Sequence, residues 1–313
     1  MNQAPKSGPL PLNGVRVVLL RGADRSGPLV DELSSRGAAV LLLPLIDFEM
    51  ADDAVPLDAA VRELRDGAFL WLVITSVTTV RALKQRLADQ HLDLAAVVAP
   101  GTRIAAVGEA TASALAAEGL RAELVPARAG EVSSAAGLAA ALAGLTPEGR
   151  VLLPQADLAA ETLRHALIDQ GWEVLSVIAY RTVAHPADPA RRITAELAGH
   201  REDRPDMRRH EIDRDRFSVE VAAGHVDAVV FTSPSTVRRV AEIFPELVGK
   251  DHPGGFSAVM IGASTAREAV KFGLLSGTVA AEPTPVGIAD AIAAAMQDHP
   301  DHEKLKAREE EHP

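Results

Sequence analysis

One set of short segments occurs twice in this chain. Ile74-Thr75-Ser76-Val77-Thr78-Thr79-Val80-Arg81 returns as Phe231-Thr232-Ser233-Pro234-Ser235-Thr236-Val237-Arg238, a shift of 157 residues. Val107-Gly108-Glu109-Ala110-Thr111-Ala112 returns as Ile261-Gly262-Ala263-Ser264-Thr265-Ala266, a shift of 154 residues. Gly137 and Gly287, near the start of the last helical pattern of each half, lie 150 residues apart. A solenoid repeat spans about 20–50 residues, so a repeat this long is a domain. Two similar domains predict a cleft between them, and clefts bind ligands.

The repeat reaches the N-terminus with a different shift. Arg16-Val17-Val18-Leu19-Leu20-Arg21 aligns with Arg150-Val151-Leu152-Leu153-Pro154-Gln155, 134 residues on. Arg36-Gly37 then aligns with Gln170-Gly171, and Ile46 with Tyr180. Each segment reads as strand, amphipathic helix, glycine stop and second strand. The glycines are the expected left-handed terminators.

Apolar strands alternate with helical patterns along the whole chain. Val17–Leu20, Val40–Leu45, Phe69–Thr75, Arg103–Val107, Ala122–Pro126, Val151–Leu153, Val174–Tyr180, Ala228–Thr232, Ala258–Ile261 and Thr278–Ala281 are the expected strands. Most are short and continuously apolar, as strands buried on both faces should be. The alternation predicts parallel sheets of βαβ units. Two stretches fall outside the pattern. Residues 201–216 are nearly all charged or polar around Pro205, and predict an exposed, mobile insertion. Residues 298–313 predict a disordered tail.

Composition narrows the chemistry. At 313 residues the chain holds two ordinary domains, and with 3% aromatics the cores must be built from Ala, Leu and Val. There is no cysteine, which excludes disulfides, thiolate nucleophiles and Cys-metal sites. No two histidines have metal-ligand spacing on one helix. No apolar run approaches the roughly 20 residues of a membrane span, and the N-terminus has no secretory h-region; a cytoplasmic location is expected. The net charge of −11 argues against nucleic-acid binding. An anionic ligand would therefore need local donors.

The repeated segments supply such donors. Thr75-Ser76 and Thr232-Ser233 fall where an apolar strand ends and a helix begins. Their plain role is helix capping. The same position also offers free N–H groups and the positive end of a helix dipole to an anion. Gly108 and Gly262 allow close backbone approach to a ligand, the latter at a turn expected to need positive φ. Thr111 and Thr265 follow as starters of the next helix. Gly-x-Gly-x-x-Gly and Gly-Lys-Ser/Thr are both missing, so neither a dinucleotide fingerprint nor a P-loop is present. Tyr180 is the only tyrosine and ends a strand. Arg21 and Gln155 end the first strand of each repeat.

Phe231–Ser235, Ile261–Ala266, Pro283-Thr284-Pro285-Val286-Gly287-Ile288 and Tyr180-Arg181-Thr182-Val183-Ala184-His185-Pro186 together resemble the uroporphyrinogen-III synthase family over residues 14–296. Val77-Thr78-Thr79 departs from the Pro or Ala that many relatives carry after the Thr-Ser pair. The resemblance implies an α/β protein of two similar parallel-sheet domains joined by a two-stranded connector, with a cleft between them. One domain would comprise 14–44 with 187–296, the other 47–179, and the connector 45–49 and 180–186. This crossed path accounts for the two repeat shifts. The implied reaction cyclises hydroxymethylbilane with inversion of ring D and loss of water, without metal or organic cofactor. Tyr180 is the implied catalytic residue. Arg21, Thr75, Ser76, Gly108, Thr111, Gln155, Ser233, Gly262, Ser264 and Thr265 are the implied substrate-binding residues. The implied partners are a small tetrapyrrole substrate and, transiently, hydroxymethylbilane synthase, with no nucleic acid or membrane and the chain acting as a monomer. The competing expectation is a two-domain tetrapyrrole or small-anion sensor without turnover.

Overall fold

The computed structural model describes residues 10–126, 134–197, 206–248, 255–274 and 277–297. The chain divides into two compact units, Met1–Ile46 with Glu202–Pro313, and Asp47–Arg201.

The first unit contains β1 (Arg16–Leu19), α1 (Gly27–Ser35) and β2 (Ala39–Leu42) from the N-terminus. The second unit opens with β3, whose range is Ile46–Met50, and continues through α2 (Val55–Arg65), β4 (Trp71–Ile74), α3 (Val77–Ala88), α4 (Leu94–Val97), β5 (Arg103–Ala106) and α5 (Glu109–Ala117). It closes with α6 (Ala135–Ala143), β6 (Arg150–Ala156), α7 (Thr162–Asp169) and β7 (Glu173–Ala184). The chain then returns to the first unit with α8 (Arg214–Ala222), β8 (Ala228–Phe231), α9 (Pro234–Ile243), β9 (Ser257–Met260), α10 (Ala263–Lys271), β10 (Thr278–Val279) and α11 (Pro285–Gln297).

The first sheet runs β10-β9-β8-β1-β2, all parallel. The second runs β3-β7-β6-β4-β5, with β7, β6, β4 and β5 parallel. Placing each strand on its sequence repeat matches β8 with β4, β9 with β5, β1 with β6 and β2 with β7. The strand order is then the same in both sheets. Only the order in which the chain visits the strands differs, which is the physical source of the two repeat shifts.

Both faces of each sheet are covered, so the strands read as continuous apolar runs. In β1, Val17 and Leu19 join the cluster built with α1 and α11, while Val18 faces the α8, α9 and α10 side. In β4, Leu72 and Ile74 pack toward α2, α3 and α5, while Trp71 and Val73 pack toward α6 and α7. Gly37 and Gly171 terminate matching helices with φ of 92° and 94°. A Cβ on Gly37 would also meet the Asn13 backbone at 3.0 Å, so this stop is doubly restricted.

Three expectations need correction. Residues 206–216 are largely exposed but anchored to the first unit. Met207 and Ile212 are buried, Ile212 N donates to Leu42 O at 2.8 Å, and Ala23 N donates to Glu211 Oε1 at 3.0 Å. Asp213 caps α8 through the Arg216 N–H. Burial of these apolar residues offsets the ordering entropy that a purely polar run could not repay. Residues 201–205 and the expected tail at 298–313 lie outside the described residues. The expected strand at 122–126 is a single parallel bridge, Leu124 to Ala105. Finally, residues 187–197 pack with the second unit, where Ile193 and Leu197 enter the core beside α3. Among the described residues no helix is long and apolar enough to cross a membrane.

Candidate active site

In each unit two helices begin immediately after neighbouring parallel strands, α3 and α5 in the second unit and α9 and α10 in the first. Their N-termini therefore share the carboxyl edge of the sheet, where ligands of open α/β sheets bind. The helices of each pair pack on one another.

The two helices of a pair start differently. Ser76 caps α3, its Oγ accepting the Thr79 N–H at 3.0 Å, and Ser233 caps α9, accepting the Thr236 N–H at 3.2 Å. The capping expectation holds for both hydroxyls. Thr75, half-buried, precedes the Ser76 cap. In contrast, α5 and α10 follow Gly108 and Gly262 with no side-chain cap. These are the helix ends whose first N–H groups have no side-chain cap to satisfy them. Glu109 puts a carboxylate in the first turn of α5, against an incoming anion, whereas α10 has Ala263 there.

Gly262 has φ 177° and ψ 177°, which is extended backbone. The expectation that its turn needs positive φ is therefore corrected: any residue adopts this conformation. A Cβ there would meet open space within 4 Å. The glycine is not demanded by the fold, and a free approach to the backbone is what it leaves. Ser264 is exposed in the first turn of α10. Thr265, expected to start that helix, is its third residue and points inward at 1% exposure. Its Oγ1 has no hydrogen-bond partner among the described residues. Thr111 occupies the equivalent buried position in α5.

Tyr180 is buried at 7% exposure in the second unit, its ring edge-on to Phe48 at 5.4 Å between centroids. Its hydroxyl lies 3.2 Å from Ser76 Oγ, so two residues 104 apart in sequence meet. A register shift produces this. In the β6–β7 pairing Gln155 faces Ile178, but Ala156 faces Tyr180. Strict alternation would put Tyr180 on the side of Ile178, which is 49% exposed. The bulge turns it inward, so that Ala179 and Tyr180 are both buried.

Gln155 sits inside β6, buried, with its Nε2 donating to Ser176 Oγ at 3.1 Å. Arg21 is half-buried just after β1 in the first unit. Two groups were not found by sequence reasoning. Thr79, fully buried, has its Oγ1 2.9 Å from Ser76 Oγ. Its repeat partner Thr236, three residues after a cap serine, was the available signal. Asp47 accepts from Phe48 N at 2.9 Å and Ala187 N at 3.3 Å, and pairs with His185 and Arg192 at 3.3 and 3.1 Å. Burial opposes its ionisation. The His185 hydrogen bond, the two N–H donors and the Arg192 charge outweigh that and hold the carboxyl well below the usual carboxylate range. Among the described residues no group of three His, Asp or Glu is placed to hold a metal ion.

The family model for uroporphyrinogen-III synthase HemD matches residues 27–290. The chain belongs to the uroporphyrinogen-III synthase family. It is an enzyme of tetrapyrrole biosynthesis. A uroporphyrinogen-III synthase from Synechococcus elongatus is 28% identical over 273 residues, covering 87% of this chain and 90% of that protein. Two solved structures share the fold. A mutant uroporphyrinogen III synthase from the extremely thermophilic bacterium Thermus thermophilus aligns with a TM-score of 0.55 at 21% identity, covering 91% of this chain and 99% of that one. The enzyme from Helicobacter pylori aligns with a TM-score of 0.51 at 14% identity, covering 90% and 99%. In the uroporphyrinogen-III synthase frame, the duplicated Thr-Ser and Gly-x-x-Thr segments are the matching strand-end turns of two like units.

Proposed function

We propose that this chain closes hydroxymethylbilane to uroporphyrinogen III, with Tyr180 donating a hydrogen bond to the departing hydroxyl. The observation that carries the assignment of Tyr180 is its burial beside Ser76, at the strand edge where α3 begins. Loss of the hydroxyl as water, with a proton supplied by the enzyme, leaves an azafulvene cation on the substrate. The substituted carbon of ring D attacks it to give a spiro intermediate, and rearrangement closes the inverted ring with release of one proton, which restores the donor. The protein's contribution is orientation and one proton donor.

Carboxylates of the substrate are held by main-chain N–H groups at the α10 N-terminus, which gives a chain of net charge −11 a local donor for a polyanion. Thr265 Oγ1 in that first turn is buried and has no partner among the described residues. A buried hydroxyl without one costs roughly 1–3 kcal/mol. Gly262 and Ser264 stand at this helix end, and Arg21, Thr75, Ser76, Gly108, Thr111, Gln155 and Ser233 complete the proposed substrate-binding set. The enzyme acts as a cytoplasmic monomer supplied by hydroxymethylbilane synthase.

The test is incubation of chelator-treated protein with enzymatically made hydroxymethylbilane, followed by separation of isomers. Uroporphyrinogen III at an undiminished rate is expected. Type I product at the spontaneous rate alone would overturn the reading.

Two substitutions separate capping from ligand binding. Ser233→Ala should cost about 1 kcal/mol in urea unfolding and raise KM; an unchanged KM would confine Ser233 to capping. Gly262→Val should fold normally, because its backbone is extended and its Cβ direction open. Its bulk should raise KM about tenfold or more, the size of one lost hydrogen bond to a charged group. Wild-type KM and isomer ratio in Gly262→Val would remove α10 from the site.

A further inference from the structure

We infer that Thr79 is a positioning residue that sets which way the Tyr180 hydroxyl proton points. This rests on the reading of Tyr180 as a donor to substrate. The Ser76 hydroxyl has two acceptor lone pairs and one proton. Three groups surround its Oγ: the Thr79 N–H at 3.0 Å, the Thr79 Oγ1 at 2.9 Å and the Tyr180 hydroxyl at 3.2 Å. The N–H can only donate, so it takes one lone pair. When the Thr79 hydroxyl donates as well, both lone pairs are filled. The single Ser76 proton then goes to the phenol oxygen. Tyr180 accepts from Ser76, and its own proton is turned away from the helix cap, the sense that a donor to a leaving hydroxyl requires. Without the Thr79 hydroxyl a lone pair of Ser76 opens. The phenol then donates into it, and its proton is withdrawn from chemistry.

The other unit carries the same device with a different third arm. Ser233 Oγ accepts the Thr236 N–H at 3.2 Å and lies 2.7 Å from Thr236 Oγ1, and its third neighbour is Ser235 Oγ at 2.9 Å. Capping alone needs only the N–H contact, which Ser makes unaided. The threonine hydroxyl is the addition, and in the second unit its chain reaches the only tyrosine of the molecule. Thr79 is fully buried, so it acts through Ser76 and does not touch substrate.

Because the chain has one tyrosine, its Raman doublet reads this phenol alone. The wild-type spectrum should show a phenol that accepts a hydrogen bond. Thr79→Val, similar in size but without the hydroxyl, should shift it toward a donor. It should also lower kcat about tenfold, the size of one hydrogen bond, with KM unchanged. Thr79→Ser should recover most of both changes. In a Tyr180→Phe background Thr79→Val should cause no further loss of kcat. A wild-type spectrum of a pure donor overturns the inference and needs no variant to fold. So does a Thr79→Val loss that persists undiminished without the phenol. If Tyr180→Phe itself turns over normally, the catalytic reading of Tyr180 falls, while the spectra still decide the role of Thr79.

Discussion

Replacing Tyr180 with Phe is expected to slow ring closure by about 10²–10⁴-fold, the range that a positioned general acid contributes. The loss should fall on kcat, because the phenol acts when the hydroxyl leaves and not when the carboxylates bind. The fold should survive. The Phe ring keeps the edge-to-face packing on Phe48, and the 3.2 Å contact with Ser76 is lost. One such hydrogen bond is worth about 0.5–1.5 kcal/mol. Single-turnover kinetics with separation of product isomers would test this. Slower enzymatic closure should also raise the share of type I product. A variant with wild-type rate and normal thermal unfolding would remove Tyr180 from the site.

Asp47→Asn is expected to destabilise the protein by about 3 kcal/mol. Removing one partner of a buried ion pair costs roughly 3–5 kcal/mol. The low end applies because His185 and Arg192 keep 29% and 32% side-chain exposure, whereas Asp47 has 4%. The amide would also set a second donor against N–H groups that need an acceptor. Because the folded carboxyl is held below its ordinary value, its contribution is complete above the unfolded carboxylate pKa of about 4. It is lost as pH falls toward and past the depressed folded value. The stability gap between wild type and Asp47→Asn should therefore narrow as the pH falls from about 5 to about 3. Urea unfolding across that range measures it. A gap independent of pH would assign the effect to shape and hydrogen bonding, not charge.

Much of the local grammar was legible in the sequence because it is written within a few residues. The Gly37 and Gly171 stops and the Ser76 and Ser233 caps each depend on contacts three to five residues away. The double-faced burial of β1 and β4 follows from their unbroken apolar runs. The segment at 206–216 was not legible. Met207 and Ile212 lie five apart among charges, matching neither the strand nor the helix period, and only β2 gives Ile212 a backbone partner. In β3 the usual alternation of apolar inside and polar outside is inverted: Asp47 and Glu49 are buried and Phe48 only partly so, because His185, Arg191 and Arg192 supply the countercharges.

By itself, then, the sequence determined a duplicated α/β chain, the positions of its strand-end turns, and the candidate residues at those turns. The tertiary structure decided how these residues act. Tyr180 faces Ser76 because the β6–β7 register shifts by one residue at Gln155, and no property of Tyr180 or its neighbours announces that slip. The Gly262 turn proved extended, so its glycine answers to what approaches it and not to strain. Capping is a local contact and can be read from a short segment. Strand register is a cooperative choice between segments far apart in the chain, set by all the pairs of the sheet together. That choice turned a lone tyrosine at a strand end into the third member of a hydroxyl chain with Thr79 and Ser76.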